Sequence, residues 1–91
     1  MGFLQNASSG SSSASVSAVL SQLRVVGKQC RQDHQMLVEI MAQTVEGNNA
    51  SKFICNDVGN DIIFMTNDVQ KYNPDLAESL REIANKLKSA G

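Results

Sequence analysis

Apolar residues recur at alternating three- and four-residue steps from Val16 to Thr44. The row runs Val16, Val19, Leu23, Val26, Cys30, Asp33, Leu37, Ile40 and Thr44, and seven of these nine are apolar when cysteine is counted. That spacing places them on one side of an α-helix. A neighbouring row, Leu20, Gly27, His34 and Met41, widens the stripe. The stretch has no proline. It therefore predicts one long helix over about 14–46, capped at its start by Ser13 or Ser15. Gly47, Asn48 and Asn49 follow as residues that accept a left-handed C-cap. Thirty such residues would span roughly 45 Å, longer than a domain of this size is wide. Such a helix must kink or project, and Gly27 is the natural hinge or point of close approach.

The next segment reads in two ways. Ile54, Val58, Ile62, Met65, Val69 and Tyr72 keep helical spacing. Gly59 and the polar run Asn56, Asp57, Asn60 and Asp61 break that pattern. The favoured expectation is two short helices, about 51–58 and 62–72, the second capped by Asp61. The alternative is a β-hairpin pairing Lys52–Cys55 with Ile62–Thr66. The C-terminal pattern is clearer. Asn73 caps, Pro74 takes the first helical position, and Asp75 and Glu78 sit in the first turn. Leu76, Leu80, Ile83 and Leu87 form its apolar stripe. A helix over about 74–89, packed back on the long one, completes an all-α expectation.

Composition sharpens this picture. The chain has 91 residues, 4% aromatic, with no Trp. A core built from Val, Leu, Ile and Met suits helix packing or an oligomer better than a sandwich or barrel. A chain this short buries only about 60–65% of its unfolded surface, so its stability margin is thin. Residues 1–23 carry no charge, and Ser8 to Ser15 contains six serines. This predicts a flexible segment at 1–13 ahead of a single helical domain at 14–91. Within it, Phe3 and Leu4 are a small apolar tip that reads as part of an ordinary frayed terminus or, alternatively, as a docking tip. In composition alone, this terminus resembles the export signals of type III secretion substrates.

The net charge of −1 provides no field to recruit nucleic acid or a membrane surface. No apolar run reaches the ~18 residues of a membrane span. The default location is cytoplasmic, with non-classical export or entry into a larger particle as alternatives. Cys30 and Cys55 do not make a disulfide scaffold and read as half-buried free thiols.

Little here points to chemistry. Cys30 and His34 share a helical face, with Asp33 adjacent and Cys55 as a conceivable third ligand. No CxxC, HxxxH or HExxH motif accompanies them. The Asn56–Asp61 stretch lacks the ligand order of a calcium loop. No phosphate-binding loop or catalytic carboxylate pair is present, and no cofactor is expected. The sequence therefore predicts a non-enzymatic assembly or adaptor subunit that self-associates or binds a partner protein through the long helix. Its contact residues would be Val16, Val19, Leu20, Leu23, Val26, Cys30, Asp33, His34, Leu37, Ile40 and Met41. Asp33 and His34 interrupt that seam; they read as solvated positions at its edge or, alternatively, as a polar layer that sets register. The alternative is a small regulatory binder that presents the strip Arg24, Lys28 and Arg31 to nucleic acid or an acidic protein.

Overall fold

The computed structural model describes residues 12–90, of which 12–15 are described in backbone only. The Ser-rich N-terminal segment up to Ser11, with Phe3 and Leu4 and the export reading attached to it, lies outside the described residues. Four helices follow in order: α1 (Ser12–Gly27), α2 (Gln32–Gly47), α3 (Lys52–Tyr72) and α4 (Pro74–Ala90). Neighbours in this order pack on one another, and α4 packs on α1 to close the ring. Contacts between facing side chains show every neighbouring pair to be antiparallel. Val38 packs on Gly27 at the end of α1, while Val16 near the start of α1 lines a pocket with Glu46 at the far end of α2. His34 meets Tyr72 at one end of the α2–α3 pair, and Thr44 and Val58 line one groove nearer the other end. Asn60 meets Lys88 across α3 and α4; across α1 and α4 Gln22 meets Lys86, while Val26 nearer the end of α1 lines a pocket with Asp75 and Leu76 at the start of α4. The result is an up-down-up-down four-helix bundle.

The all-α expectation holds, but two boundaries differ from it. The helix expected over 14–46 is two helices. Lys28 to Arg31 form a turn in which Gln29 N–H donates to the Val26 carbonyl at 3.0 Å and Cys30 N–H to the Gly27 carbonyl at 3.0 Å. The physical reason is burial. A straight helix would leave Val38, Ala42 and Val45 in water, whereas the fold-back buries all three. Gly27 makes the fold-back possible. A Cβ there would lie 2.6 Å from Val38 Cγ1, so only glycine lets α2 come this close.

The segment expected to be broken is the longest helix. α3 runs unbroken through Gly59, and no strand occurs among the described residues. Neither the two short helices nor the hairpin forms. The apolar spacing of Val58, Ile62, Met65 and Val69 prevails over the local breakers because all four side chains are buried. Asn56, Asp57, Asn60 and Asp61 lie on the exposed side, where they cost little. Gly59 is itself buried. A Cβ on it would press on the Lys88 side chain and lie 3.1 Å from the Ala84 carbonyl oxygen.

The caps follow local chemistry. Ser51 Oγ accepts the Ile54 N–H at 3.3 Å to start α3. Asn73 Oδ1 accepts the Leu76 N–H at 3.1 Å to start α4, directly before Pro74. At the end of α2, Ala50 N–H donates to Val45 and Asn49 N–H to Glu46. This is a Schellman closure. Its left-handed residues are Asn49 (φ 58°) and Ala50 (φ 53°), while Gly47 remains helical.

Gly27 supplies a direct test of the α1–α2 contact. Gly27→Ala is expected to destabilise by about 1–3 kcal/mol through overpacking, despite the better helix propensity of alanine. Adding Val38→Ala should recover part of that loss, although Val38→Ala alone is also destabilising. Urea denaturation of the four chains measures the coupling. Simple addition of the two losses would show that the residues do not meet.

Candidate functional site

The expected contact row divides between the core and the surface. Val16, Val19, Leu20, Leu23, Cys30 and His34 are buried within the bundle, and Val26 and Met41 are half-buried. Leu37, Ile40 and Asp33 remain exposed. The row is thus not one continuous seam. Its first half meets α2 and α4, and only its last turns face outward.

Asp33 and His34 sit at the end of the bundle, beside the α1–α2 turn. The Tyr72 hydroxyl lies 2.9 Å from His34 Nδ1 and accepts the Arg31 backbone N–H at 3.1 Å. The Tyr72 hydroxyl thus joins the His34 ring to the backbone of the α1–α2 turn. The His34 and Tyr72 rings stack at 5.7 Å, and the Arg31 guanidinium lies 4.8 Å from the Tyr72 ring centre. Asp33 Oδ1 accepts the His34 N–H at 2.9 Å, and Arg31 reaches Asp33 at 3.5 Å. Partial desolvation pushes the Asp33 carboxyl upward. The His34 N–H, the His34 ring and Arg31 outweigh it and hold the group below its ordinary value. Burial pushes the Cys30 thiol up, which makes it a poor nucleophile, with the Tyr72 hydroxyl acting against that shift. The cluster is a clasp that ties the α1–α2 turn to the end of α3. Cys55 belongs to the opposite end of α3, one turn from Ser51, and both thiols are free. No group of three His, Cys, Asp or Glu side chains close enough to hold a metal occurs among the described residues.

The cationic strip is largely engaged. Arg24 forks onto two carboxylates, with contacts of 2.7 Å to Glu46 and 3.1 Å to Glu39. Arg31 is committed to Asp33 and Tyr72, and Lys28 stays exposed. Hydrogen bonds from Arg24 hold Glu46 and Glu39 below their ordinary value of 4.5. Depressed folded-state values mean that this stabilisation is complete above the ordinary value and is lost as pH falls below it. The melting temperature should therefore drop on acidification. Arg24→Met should flatten that acid limb while leaving the residual slope from other carboxylates. An identical acid limb in the variant would show that the fork contributes nothing.

The most distinctive surface lies elsewhere. Among the described residues, six large apolar side chains are exposed, and all but Val25 lie on α2 or α3: Met36, Leu37, Ile40, Phe53 and Phe64. Between these helices runs a groove of about 390 Å³ whose walls include Leu37, Ile40, Met41, Phe64 and Met65. His34 closes one end, and Asp61 and Asp68 form its polar rim. Phe64 is 78% exposed and stands beside Leu37, Ile40 and Met41 along this groove. Leu37, Ile40 and Met41 stood in the expected contact row, whereas Phe64, Met65, Asp61 and Asp68 did not. The missed signal was spacing. Phe53 and Phe64 are eleven residues apart, three helical turns, on the side of α3 away from its apolar stripe. No helix among the described residues is long and apolar enough to cross a membrane. Comparison with protein families, curated proteins and solved structures finds no match for this chain.

Proposed function

We propose that this chain is a non-enzymatic helical adaptor or assembly subunit that binds a partner protein along the α2–α3 groove. The observation that carries this reading is the concentration of exposed apolar side chains on α2 and α3, with Phe64 and Ile40 flanking an open groove. A helix laid in such a groove would contact it with residues at i, i+3 or i+4, and i+7. The assembly role expected from the α1–α2 stripe thus moves to the turns of α2 that remain outward. The cationic-strip alternative is weaker, because Arg24 and Arg31 already hold carboxylates. A cytoplasmic location belongs to the same proposal, supported by the two unbridged buried thiols.

Panning a phage-displayed random peptide library against the folded chain tests this. Enriched peptides should share helical apolar spacing and lose about tenfold or more in affinity for the Ile40→Ser/Phe64→Ser variant, in line with removal of two central apolar contacts. Both positions are exposed, so the variant should keep its helicity. Enriched peptides that bind the variant equally well, or no enrichment at all, would overturn the proposal.

A further inference from the structure

The charge around the groove points to the nature of its occupant. Residues 32–72, which make up α2 and α3, carry six carboxylates (Asp33, Glu39, Glu46, Asp57, Asp61 and Asp68) against Lys52 and Lys71. Glu39 and Glu46 are turned toward Arg24 on the α1 side, and Asp33 belongs to the clasp. Asp57, Asp61 and Asp68 remain on the exposed side of α3, in step with Phe64 along the helix. Asp57 and Asp61 have no ion-pair partner among the described residues. Asp68 meets Lys71 at 3.5 Å, but both side chains are well exposed and the pair is screened by water. No lysine or arginine lines the groove.

Resting on the reading of the groove as a docking surface, we infer that its occupant is a basic amphipathic helix of a different protein. The apolar face of that helix would lie on Leu37, Ile40, Met41 and Phe64, and its lysines or arginines would meet Asp61 and Asp68. From His34 to Thr44 the α2 wall rises about 15 Å, so the groove accommodates roughly three turns. Met41 and Met65 in the wall supply flexible, polarizable side chains that adapt to varied apolar partners. A second copy of this chain fits less well. Set α3 against α3, two grooves bring their Asp61 and Asp68 rims together, where like charges oppose association; set α3 against α2, the rims meet a wall with no lysine or arginine to pair them. The opposite side of the bundle offers only Val25 as a large exposed apolar residue among the described residues. It therefore has no stripe to fill the groove.

The test uses two synthetic peptides of the same length and helical apolar spacing, one of leucine and lysine, the other of leucine and glutamate. Each is titrated into the isotopically labelled full chain, with amide and methyl shifts recorded by NMR. The leucine–lysine peptide should perturb Leu37, Ile40, Met41, Phe64 and Met65. Asp61→Asn/Asp68→Asn should weaken it about fivefold, as expected for two exposed charge contacts, while Phe64→Ser should weaken it more. Added salt should reduce the gap between wild type and the Asn variant. Equal or tighter binding of the leucine–glutamate peptide in the groove would overturn the basic occupant while leaving the groove as a docking site. Concentration-dependent dimerisation with shifts confined to the groove would replace the occupant by a second copy. If neither peptide perturbs the groove and the chain stays monomeric, both the occupant and the docking reading are wrong. Circular dichroism of each variant confirms that the helices persist.

Discussion

Leu23→Asp is expected to unfold the chain. Leu23 is fully buried where α1 meets its neighbours, and it ranks among the largest side chains with no exposure. An aspartate there would be an unpaired carboxylate in an apolar environment, which costs several kcal/mol even after the group shifts its protonation. The lost apolar burial adds about 2–3 kcal/mol. A domain of this size has a total stability of about 5–10 kcal/mol, so most or all of it should disappear. The outcome separates two pictures of α1. If α1 were an outward seam holding an oligomer together, Leu23→Asp would give a soluble, helical monomer. In the bundle it should instead give loss of helical circular dichroism, with a mild acid-induced recovery as the carboxylate is protonated. The opposite pattern is expected at the exposed Ile40, where Ile40→Asp should leave the unfolding free energy within about 0.5 kcal/mol of wild type. A folded Leu23→Asp chain would refute this placement of α1.

Gly59→Leu should be the second most damaging substitution, and Gly59→Ala should be nearly neutral. In the middle of a helix, glycine to alanine normally gains about 1 kcal/mol. Here the added methyl meets the root of the Lys88 side chain, which must change rotamer to clear it, and the Ala84 carbonyl oxygen at 3.1 Å, which cannot move without shifting α4. The gain and the strain should roughly cancel for alanine. Leucine brings a whole side chain into the α3–α4 interface and should cost about 3 kcal/mol by forcing the two helices apart. It should also break the Lys88–Asn60 hydrogen bond of 2.7 Å. Thermal melts of both variants test this. A stabilised Gly59→Leu chain would mean that Gly59 is an ordinary surface glycine and that α4 does not approach it.

Much of this bundle is legible in local pattern. Asn73–Pro74 and the Leu76–Leu80–Ile83–Leu87 stripe identify α4 because cap chemistry and helical period coincide there. The spacing of Val58, Ile62, Met65 and Val69 marks the buried face of α3 correctly, even though Gly59 and the Asn/Asp cluster suggest a break. Breakers shift helix stability by about 1 kcal/mol each, whereas burying one large apolar side chain contributes about 1.5–3 kcal/mol. Four buried side chains therefore decide the matter, but only once a neighbouring helix exists to bury them.

The candidate surface divides in the same way. Leu37, Ile40 and Met41 belong to a periodic row, and periodicity identifies them as apolar helix positions. It cannot say whether such a position faces a partner within the chain or one outside it. Val16 and Leu23 belong to the same row as Leu37 and Ile40, yet the first pair is core and the second is surface. The turn at Lys28–Arg31 makes that division, and no proline marks it. It forms because Gly27 admits Val38, and because the Tyr72 hydroxyl receives the Arg31 N–H from a point 41 residues along the chain. Local pattern alone sets the α4 cap and the apolar face of each helix, since these depend on neighbours within a turn or two, whereas Lys52 to Thr66 fits a hairpin as well as a helix. The tertiary structure alone decided where the first helix stops, that α3 is unbroken, and that Phe64 and Ile40 border one open groove. Those outcomes rest on contacts between residues far apart in the chain, whose energies exceed local preference.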